Sequence, residues 1–394
     1  MAGATQSRTE NCPHVLFAVL DWGLGHATRT WPMILSARQS GARVTVASSG
    51  ASAAWLQSRM TKMVEEENKA GADQGPWSCI EKPGAVITYA NGPGTHVKIA
   101  LQIPAFLVSI SSERKWLAAL IRTESITHVI SDNCYGVHPT HHEIPSALIS
   151  HQVSPPVPWL LRAATRKQIR RWSSRFGEVW IPDVDRGVLA GRLSNPPFSH
   201  PRFIGPLSRF LPHPNPNGLK NQETESGDQN PPLVGMVSGP EPQRSLMENA
   251  LIQCFERDGR PGLIFSGRPE GVSRSVGRVR VVCHASDSVI KTALLHADCI
   301  VCRSGYSSLM DLAVLGLKAV LVPTPGQPEQ ELLAHHWKKR WGWKTIQQKN
   351  LSHYDPGRPT GQTPWTNPSD SGHISLWLHD WLSLDIPVRP KLQS

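Results

Sequence analysis

The chain has 394 residues, 39% of them apolar and 18% charged, enough for two or three domains with ordinary cores. A formal net charge of +10 directs attention to anionic partners: nucleic acid, an anionic membrane surface or phosphorylated ligands. No run approaches the ~20 consecutive apolar residues of a membrane-spanning helix, and seven cysteines in so long a chain do not describe a disulfide framework.

Residues 1–13 are polar, lack the apolar core of a signal peptide and read as a flexible tail, which sets the expectation of a cytoplasmic protein. "HVLFAVLD" (14–21) reads as a buried strand, and a helical pattern runs from Ala27 to Ser40. Between them lies "GLGH", with Gly23, Gly25 and His26, followed by Arg29. The glycine pattern lacks the third glycine of a dinucleotide loop, and no acidic residue closes the second strand "ARVTVASSG" (42–50), so a dinucleotide cofactor is not expected. "THVISDN" (127–133), "SALISHQ" (146–152) and "EVWIPD" (178–183) are further strands. They end in Asp132, in His151 and Gln152, and in Asp183. Alternation of strands and helices predicts a parallel, doubly wound sheet, with ligands at the carboxyl ends of its strands.

Two short stretches resemble metal sites. "PDVD" (182–185) and "HPTHHE" (138–143) carry acids and histidines, but each has a common turn or loop composition, and no metal is expected. "PVPWLLRAATRKQIRRWSSRF" (156–176) holds six basic residues among large apolar ones and no acid. That composition suits either a solvated helix with one buried stripe or a basic amphipathic segment on an anionic bilayer.

"FLPHPNPNGLKNQETESGDQNPP" (210–232) is nearly devoid of apolar residues and reads as a linker between two α/β domains, 14–209 and 233–350. "LVGMVSG" (233–239), "GLIFSG" (262–267), "VRVVCH" (279–284), "ADCIVCRSG" (297–305) and "KAVLVPTPG" (318–326) continue the strand series. Cys299 and Cys302 fall within a strand on mismatched faces and read as buried small side chains rather than a redox pair. Residues 351–394 form a tail with one amphipathic helix around 373–384.

The densest chemistry lies in 297–334. A strand runs into Arg303-Ser304-Gly305, and a helix begins near Ser307. Free N–H groups and the helix dipole suit phosphate at such a junction, and Arg303 adds positive charge. Asp311 follows on the helix, where a carboxylate accepts from ribose hydroxyls. "PTPGQPEQ" then brings Gln327, Glu329 and Gln330, a donor and acceptor set suited to sugar hydroxyls.

With these residues on the page, the chain resembles the GT-B glycosyltransferases, with two Rossmann-like domains facing a central cleft. The most similar pattern is that of the bacterial enzymes that add N-acetylglucosamine to the lipid intermediate of peptidoglycan. The plant-type UDP-glycosyltransferases are more distant. "DWGLGHATR", "IGPLSRF", "SGPEPQR", "RSGYSSLMDL" and "PTPGQPEQ" are shared with a less characterised bacterial group.

The resemblance implies an inverting, metal-independent transfer of a hexose or N-acetylhexosamine from a nucleotide sugar, UDP-GlcNAc by preference. The acceptor would be lipid-linked or membrane-associated, at the inner face of the plasma membrane. Ser304, Gly305 and Arg303 would meet the diphosphate, and Asp311 would stand where the family has a ribose-binding glutamate. Glu329 and Gln330 would contact the sugar. Ser238, Gly239 and Arg244 would form a second phosphate loop, and Ala285 and Ser286 would face the base. On the other side of the cleft, His26 would be the general base, with Asp132 as its partner or as the base itself. Gly23, Gly25, Arg29, His151 and Gln152 would face acceptor or phosphate. Two other readings remain open: a UDP-sugar 2-epimerase of the same fold, and a non-catalytic sugar-nucleotide or lipid-binding protein. No nucleic-acid module is present in the sequence.

Overall fold

A computed structural model describes residues 12–70, 77–84, 95–140, 143–211, 232–268, 271–364 and 373–383. The first sheet is built from β1 (His14–Val19), β2 (Arg43–Ser48), β3 (Trp77–Glu81), β4 (His128–Asp132), β5 (Ser146–Ile149), β6 (Glu178–Ile181) and β7 (Arg202–Phe203). Their order is β3-β2-β1-β4-β5-β6-β7, and every neighbouring pair is parallel. Three long helices cross over between strands: α1 (Leu24–Gln39), α2 (Gly50–Ala70) and α3 (Thr95–Thr123). A shorter one, α4 (Arg162–Ser173), precedes β6.

The second sheet has the order β10-β11-β9-β8-β12-β13. Its strands are β8 (Leu233–Met236), β9 (Gly262–Phe265), β10 (Arg274–Val276), β11 (Val279–Val282), β12 (Cys299–Cys302) and β13 (Val320–Leu321). Only the β10–β11 pair is antiparallel among them. The helices are α5 (Gln243–Asp258), α6 (Asp287–His296), α7 (Tyr306–Val314) and α8 (Pro328–Trp341). The architecture is α/β with two Rossmann-like sheets, as the strand and helix alternation predicts.

Period-2 alternation explains why these strands are buried on both faces. In β1, Val15, Phe17 and Val19 join a core with α1, while Leu16 and Ala18 face the opposite core with Leu117 of α3. In β12, Ile300 and Cys302 face one core, and Cys299 and Val301 the other. Cys299 and Cys302 therefore point to opposite sides of the sheet as free, buried thiols, which accounts for the CxxC spacing as packing.

Several elements differ from the pattern read in the sequence. α1 begins at Leu24, three residues before the periodic apolar stripe, because Gly23 takes φ 97° at its N-cap and lets the chain turn directly from β1 into the helix. His26 thus sits on the first helical turn, not in an extended loop. The β10–β11 hairpin was not expected, since the β10 residues are all exposed and give no apolar signal. The region read as a linker, 210–232, lies mostly outside the described residues.

Chain segments cross between the two cores. Leu189, Ala190, Leu193 and Phe210 pack into the core of the second sheet with Trp337 of α8. The C-terminal helix α9 (His373–Leu382) returns to the first, where Ile374, Leu378, Trp381 and Leu382 pack with α1. The Trp381 indole meets Trp180 with centroids 4.9 Å apart, and its Nε1–H donates to Glu178 Oε1 at 2.9 Å.

His128 in β4 is buried edge-to-face against Trp381, centroids 5.0 Å apart. Burial pushes its pKa down from 6.5 to about 4. The unfolded chain takes up a proton here that the folded chain refuses, so stability is full above pH ~6.5 and declines as the pH falls toward 4. Urea denaturation from neutral to mildly acidic pH should show this decline, and His128→Gln should make it shallower. An unchanged pH slope in the variant would contradict the assignment.

Candidate active site

The carboxyl ends of β1, β4 and β5 face the N-terminus of α7 across the cleft between the sheets. α1 and α7 meet there by their first turns: Ser307 Oγ donates to the Gly25 carbonyl at 3.1 Å. A Cβ on Gly25 would lie 2.8 Å from Ser307 Oγ and would turn that hydroxyl away from the Gly25 carbonyl. Each helix N-terminus carries roughly half a positive charge. No side chain caps α1 at Gly23 or α7 at Gly305. Two such ends converging favour an anion beside their contact.

His26 Nδ1 lies 3.1 Å from Asp132 Oδ2, on a side chain that is only 13% exposed. Asp132 ends β4 and is fully buried. Its Oδ2 accepts from Arg29 Nε at 3.0 Å and from Thr30 Oγ1 at 2.9 Å, and its Oδ1 accepts from Arg29 Nη2. Burial opposes ionisation, but Arg29 and His26 outweigh it and hold Asp132 well below the usual carboxylate range. Burial and then the Arg29 charge lower the His26 pKa against the pull of Asp132. His26 is therefore a neutral imidazole near pH 7, placed to accept a proton.

Arg29 was expected to face acceptor or phosphate. It is 2% exposed and turned inward, so this expectation is corrected. His151 is also engaged. Its Nδ1 accepts from Arg29 Nη1 at 2.7 Å, and its Nε2 donates across the cleft to Glu329 Oε1 at 3.2 Å. Burial and Arg29 push its pKa down to about 4. Gln152 Nε2 donates to the other oxygen, Glu329 Oε2. Glu329 is consequently a carboxylate held by two residues of the opposite domain, with His151 the main influence overcoming the effect of burial on its pKa.

On the second domain, three expected contacts are placed differently. Arg303 is fully buried, donating to the carbonyls of Gln243 at 2.7 Å and Val322 at 3.3 Å. Burial pushes its pKa down to about 10. It braces the strand ends under the loop rather than reaching an exposed diphosphate. The Ser304 hydroxyl donates to the Gln330 carbonyl at 2.8 Å and is buried. What this junction offers a phosphate is Gly305 and the start of α7. Asp311 accepts from Ser208 Oγ at 2.6 Å and Arg209 Nε at 3.0 Å. Burial raises its pKa against the influence of Arg209. Its carboxylate is committed to the end of the first domain, not open to a ribose.

The remaining expected residues lie on loops and helix starts of the second domain. Gly239 takes φ 100° in the loop after β8, with Ser238 exposed beside it. Arg244 donates to Glu241 Oε1 and the Gly267 carbonyl, both at 3.0 Å, and Arg268 joins Glu241 at 3.3 Å. Ser286, following Ala285, caps α6 by accepting from Val289 N–H at 3.3 Å. Gln327 is the N-cap of α8. Gln330 Oε1 accepts from Thr324 N–H at 2.9 Å, and its Nε2 lies on the Gly305 side.

Tyr306 was missed. It stacks on His151 with centroids 4.2 Å apart and donates its hydroxyl to the Pro182 carbonyl. Ser208 and Arg209, inside "IGPLSRF", and Arg268 were missed as well.

Of the two metal-like stretches, the one around Asp183 has a structural role among the described residues. Asp183 accepts from the N–H groups of Val184, Leu189 and Ala190 and from Ser194 Oγ at 2.6–3.0 Å, which orders its loop. His138 packs on Phe176, and His141 and His142 lie outside the described residues.

Residues 281–354 match the model of the glycosyltransferase family 28 C-terminal domain. The second domain carries a glycosyltransferase signature. The calicheamicin glycosyltransferase CalG4 superposes with a TM-score of 0.55 at 11% identity, covering 95% of this chain and 93% of that one. The glycosyltransferase SnogD from Streptomyces nogalater gives 0.52 at 13%, covering 95% and 96%. The Arabidopsis thaliana protein UGT89C1, complexed with UDP-L-rhamnose, gives 0.53 at 13%, covering 94% and 92%. These likenesses establish the GT-B fold over 94–95% of the chain, and the family match supports glycosyltransferase as the enzyme class. No curated protein matches the sequence.

The α1–α7 contact yields a direct test. Gly25→Ala should cost about 1 kcal/mol by displacing the Ser307 hydroxyl from the Gly25 carbonyl. Ser307→Ala in that background should recover part of the thermal midpoint, a non-additive pair. Strictly additive effects would contradict the close approach.

Proposed function

We propose that this chain is an inverting glycosyltransferase that binds a UDP-N-acetylhexosamine in the second domain and a membrane-associated acceptor in the first. The observation that carries the reading is the pairing of His26 with buried Asp132 opposite the α7 N-terminus. In the tautomer whose Nδ1–H donates to Asp132 Oδ2, the Nε2 lone pair is left for an acceptor hydroxyl. His26 takes that proton as the oxygen attacks the anomeric carbon. The bond from that carbon to the diphosphate oxygen breaks, and UDP leaves with the negative charge.

Charge develops on the departing diphosphate, so catalysis needs preorganised positive potential there. The first turns of α1 and α7 supply it, with Arg244 and Arg268 near the Gly239 loop. We assign the stabilisation to these groups and not to a divalent cation. Gln330 Nε2, Gln327 and Glu329 surround the place of the sugar, and Glu329 exchanges its His151 and Gln152 partners for sugar hydroxyls. This reading is favoured over a 2-epimerase because the base sits on the acceptor side.

The acceptor class rests on a surface feature. Trp159, Leu160 and Leu161 are 73, 70 and 54% exposed immediately before α4. Arg162, Arg166, Lys167, Arg170 and Arg171 are exposed on that helix. Trp172 of α4 contacts Phe106 at 5.9 Å, and Phe106 contacts Trp22 at 5.6 Å, four residues from His26. An aromatic row thus runs from the basic helix to Trp22, in the turn between β1 and α1. Apolar tips beside Lys and Arg suit an anionic bilayer. No helix among the described residues is long and apolar enough to cross a membrane.

Calorimetry should show UDP binding to the wild type, weakened about tenfold or more by Arg244→Glu, a loss of ~1.4 kcal/mol. No UDP binding would overturn the donor assignment. His26→Ala should keep UDP affinity and lower transfer from UDP-GlcNAc into lipid-extractable membrane material about 100-fold or more. Unimpaired transfer would remove His26 from the mechanism. Replacing the five basic residues of α4 with glutamine should abolish flotation with phosphatidylglycerol liposomes; undiminished flotation would exclude the surface.

A further inference from the structure

We infer that Arg29 is a positioning residue, whose guanidinium keeps His26 available as a base with one arm and aims His151 at Glu329 with the other. This inference rests on His26 as the base, and goes beyond it by tying both sides of the cleft to one buried cation.

The geometry is specific. Arg29 makes a two-point contact with Asp132 through Nε and Nη2, and its Nη2 also lies 2.9 Å from His26 Nδ1. That nitrogen cannot accept there while it donates to Asp132 Oδ2, so this arm acts on His26 through its charge. A guanidinium only donates, so Nη1 at 2.7 Å from His151 Nδ1 requires that nitrogen to be the acceptor. His151 must then carry its proton on Nε2, the atom facing Glu329 at 3.2 Å. The tautomer that reaches across the cleft is thus imposed from behind by Arg29. Stacking of Tyr306 on His151 holds the ring plane, and the Arg29 head lies 5.5 Å from the Tyr306 ring centroid.

The effect on His26 follows from the charges around it. These are Arg29 on its own helix, Asp132 at the end of β4, and Glu329 on α8, with His151 at the end of β5 on the far side of Arg29. Asp132 and Glu329 favour a protonated imidazole, which is useless as a base. Arg29 opposes that pull and balances Asp132, leaving the carboxylate to orient His26 without holding it protonated. A lone His–Asp pair in the same burial would titrate higher.

Neither role is visible as contact with substrate, since Arg29 is closed off from solvent. It acts through His26 and His151, so its removal should change their protonation as well as the rate.

The test uses full-length protein labelled with 15N-histidine, read by long-range proton–nitrogen correlation spectra over pH 5–9 without any substrate. Assignments come from His26→Ala and His151→Ala. In the wild type, His151 should show the Nε2–H form throughout, and His26 should titrate below the ordinary 6.5. In Arg29→Gln, His26 should titrate about one pH unit higher or more, and His151 should become a tautomer mixture. Arg29→Lys, which keeps the charge but not the fork, should restore the His26 titration in large part and leave His151 mixed.

Should Arg29→Gln not fold, Arg29→Lys carries the test through His151 alone. Unchanged His26 and His151 resonances in a folded variant would overturn the inference. That outcome is separate from the base assignment, which stands or falls on transfer by His26→Ala.

Discussion

A carboxylate can remain ionised away from water only if a cation and donors compensate the lost hydration. Asp132, fully buried at the end of β4, meets that condition through Arg29, Thr30 and His26. Breaking a buried pair by removing one partner costs about 3–5 kcal/mol, far more than an exposed ion pair contributes. The pairing fixes the first turn of α1 against β4, and α1 in turn meets α7. Because Gly25 admits Ser307, the ends of two helices from different sheets approach closely. The cleft, its positive potential and the orientation of His26 all follow from this packing.

Much of the fold was legible in the sequence. "HVLFAVLD" and "ADCIVCRSG" are apolar runs ending at polar turns, and their alternation with helical segments led to two parallel sheets. Runs with weak apolar contrast were not legible: β10 is wholly exposed, and the antiparallel hairpin it forms has no periodic signal. The start of α1 was misplaced because backbone geometry at Gly23, and not hydrophobic periodicity, sets it.

Within the site, residue type was legible but direction was not. His26 and Asp132 were singled out from separate stretches and come together at 3.1 Å. Arg29, Arg303 and Asp311 were read as ligand contacts from their charge, their place at strand–helix junctions and the family resemblance. Their burial depends on tertiary partners distant in sequence: Asp132 for Arg29, backbone carbonyls for Arg303, and Ser208 with Arg209 for Asp311. Tyr306 was hidden in plain view, since its role depends on stacking with His151 from the other sheet. Local pattern locates a site, and long-range packing decides which of its groups stay open to a ligand.

The central claim is that a nucleotide diphosphate lies at the start of α7, beside its contact with the first turn of α1 and facing His26. A crystal structure of the protein with UDP tests it most directly. The account predicts diphosphate oxygens within hydrogen-bond reach of the backbone amides at Gly305–Ser307, with His26 on the open side of the β-phosphate. UDP bound elsewhere, with those amides out of reach of either phosphate, would contradict it.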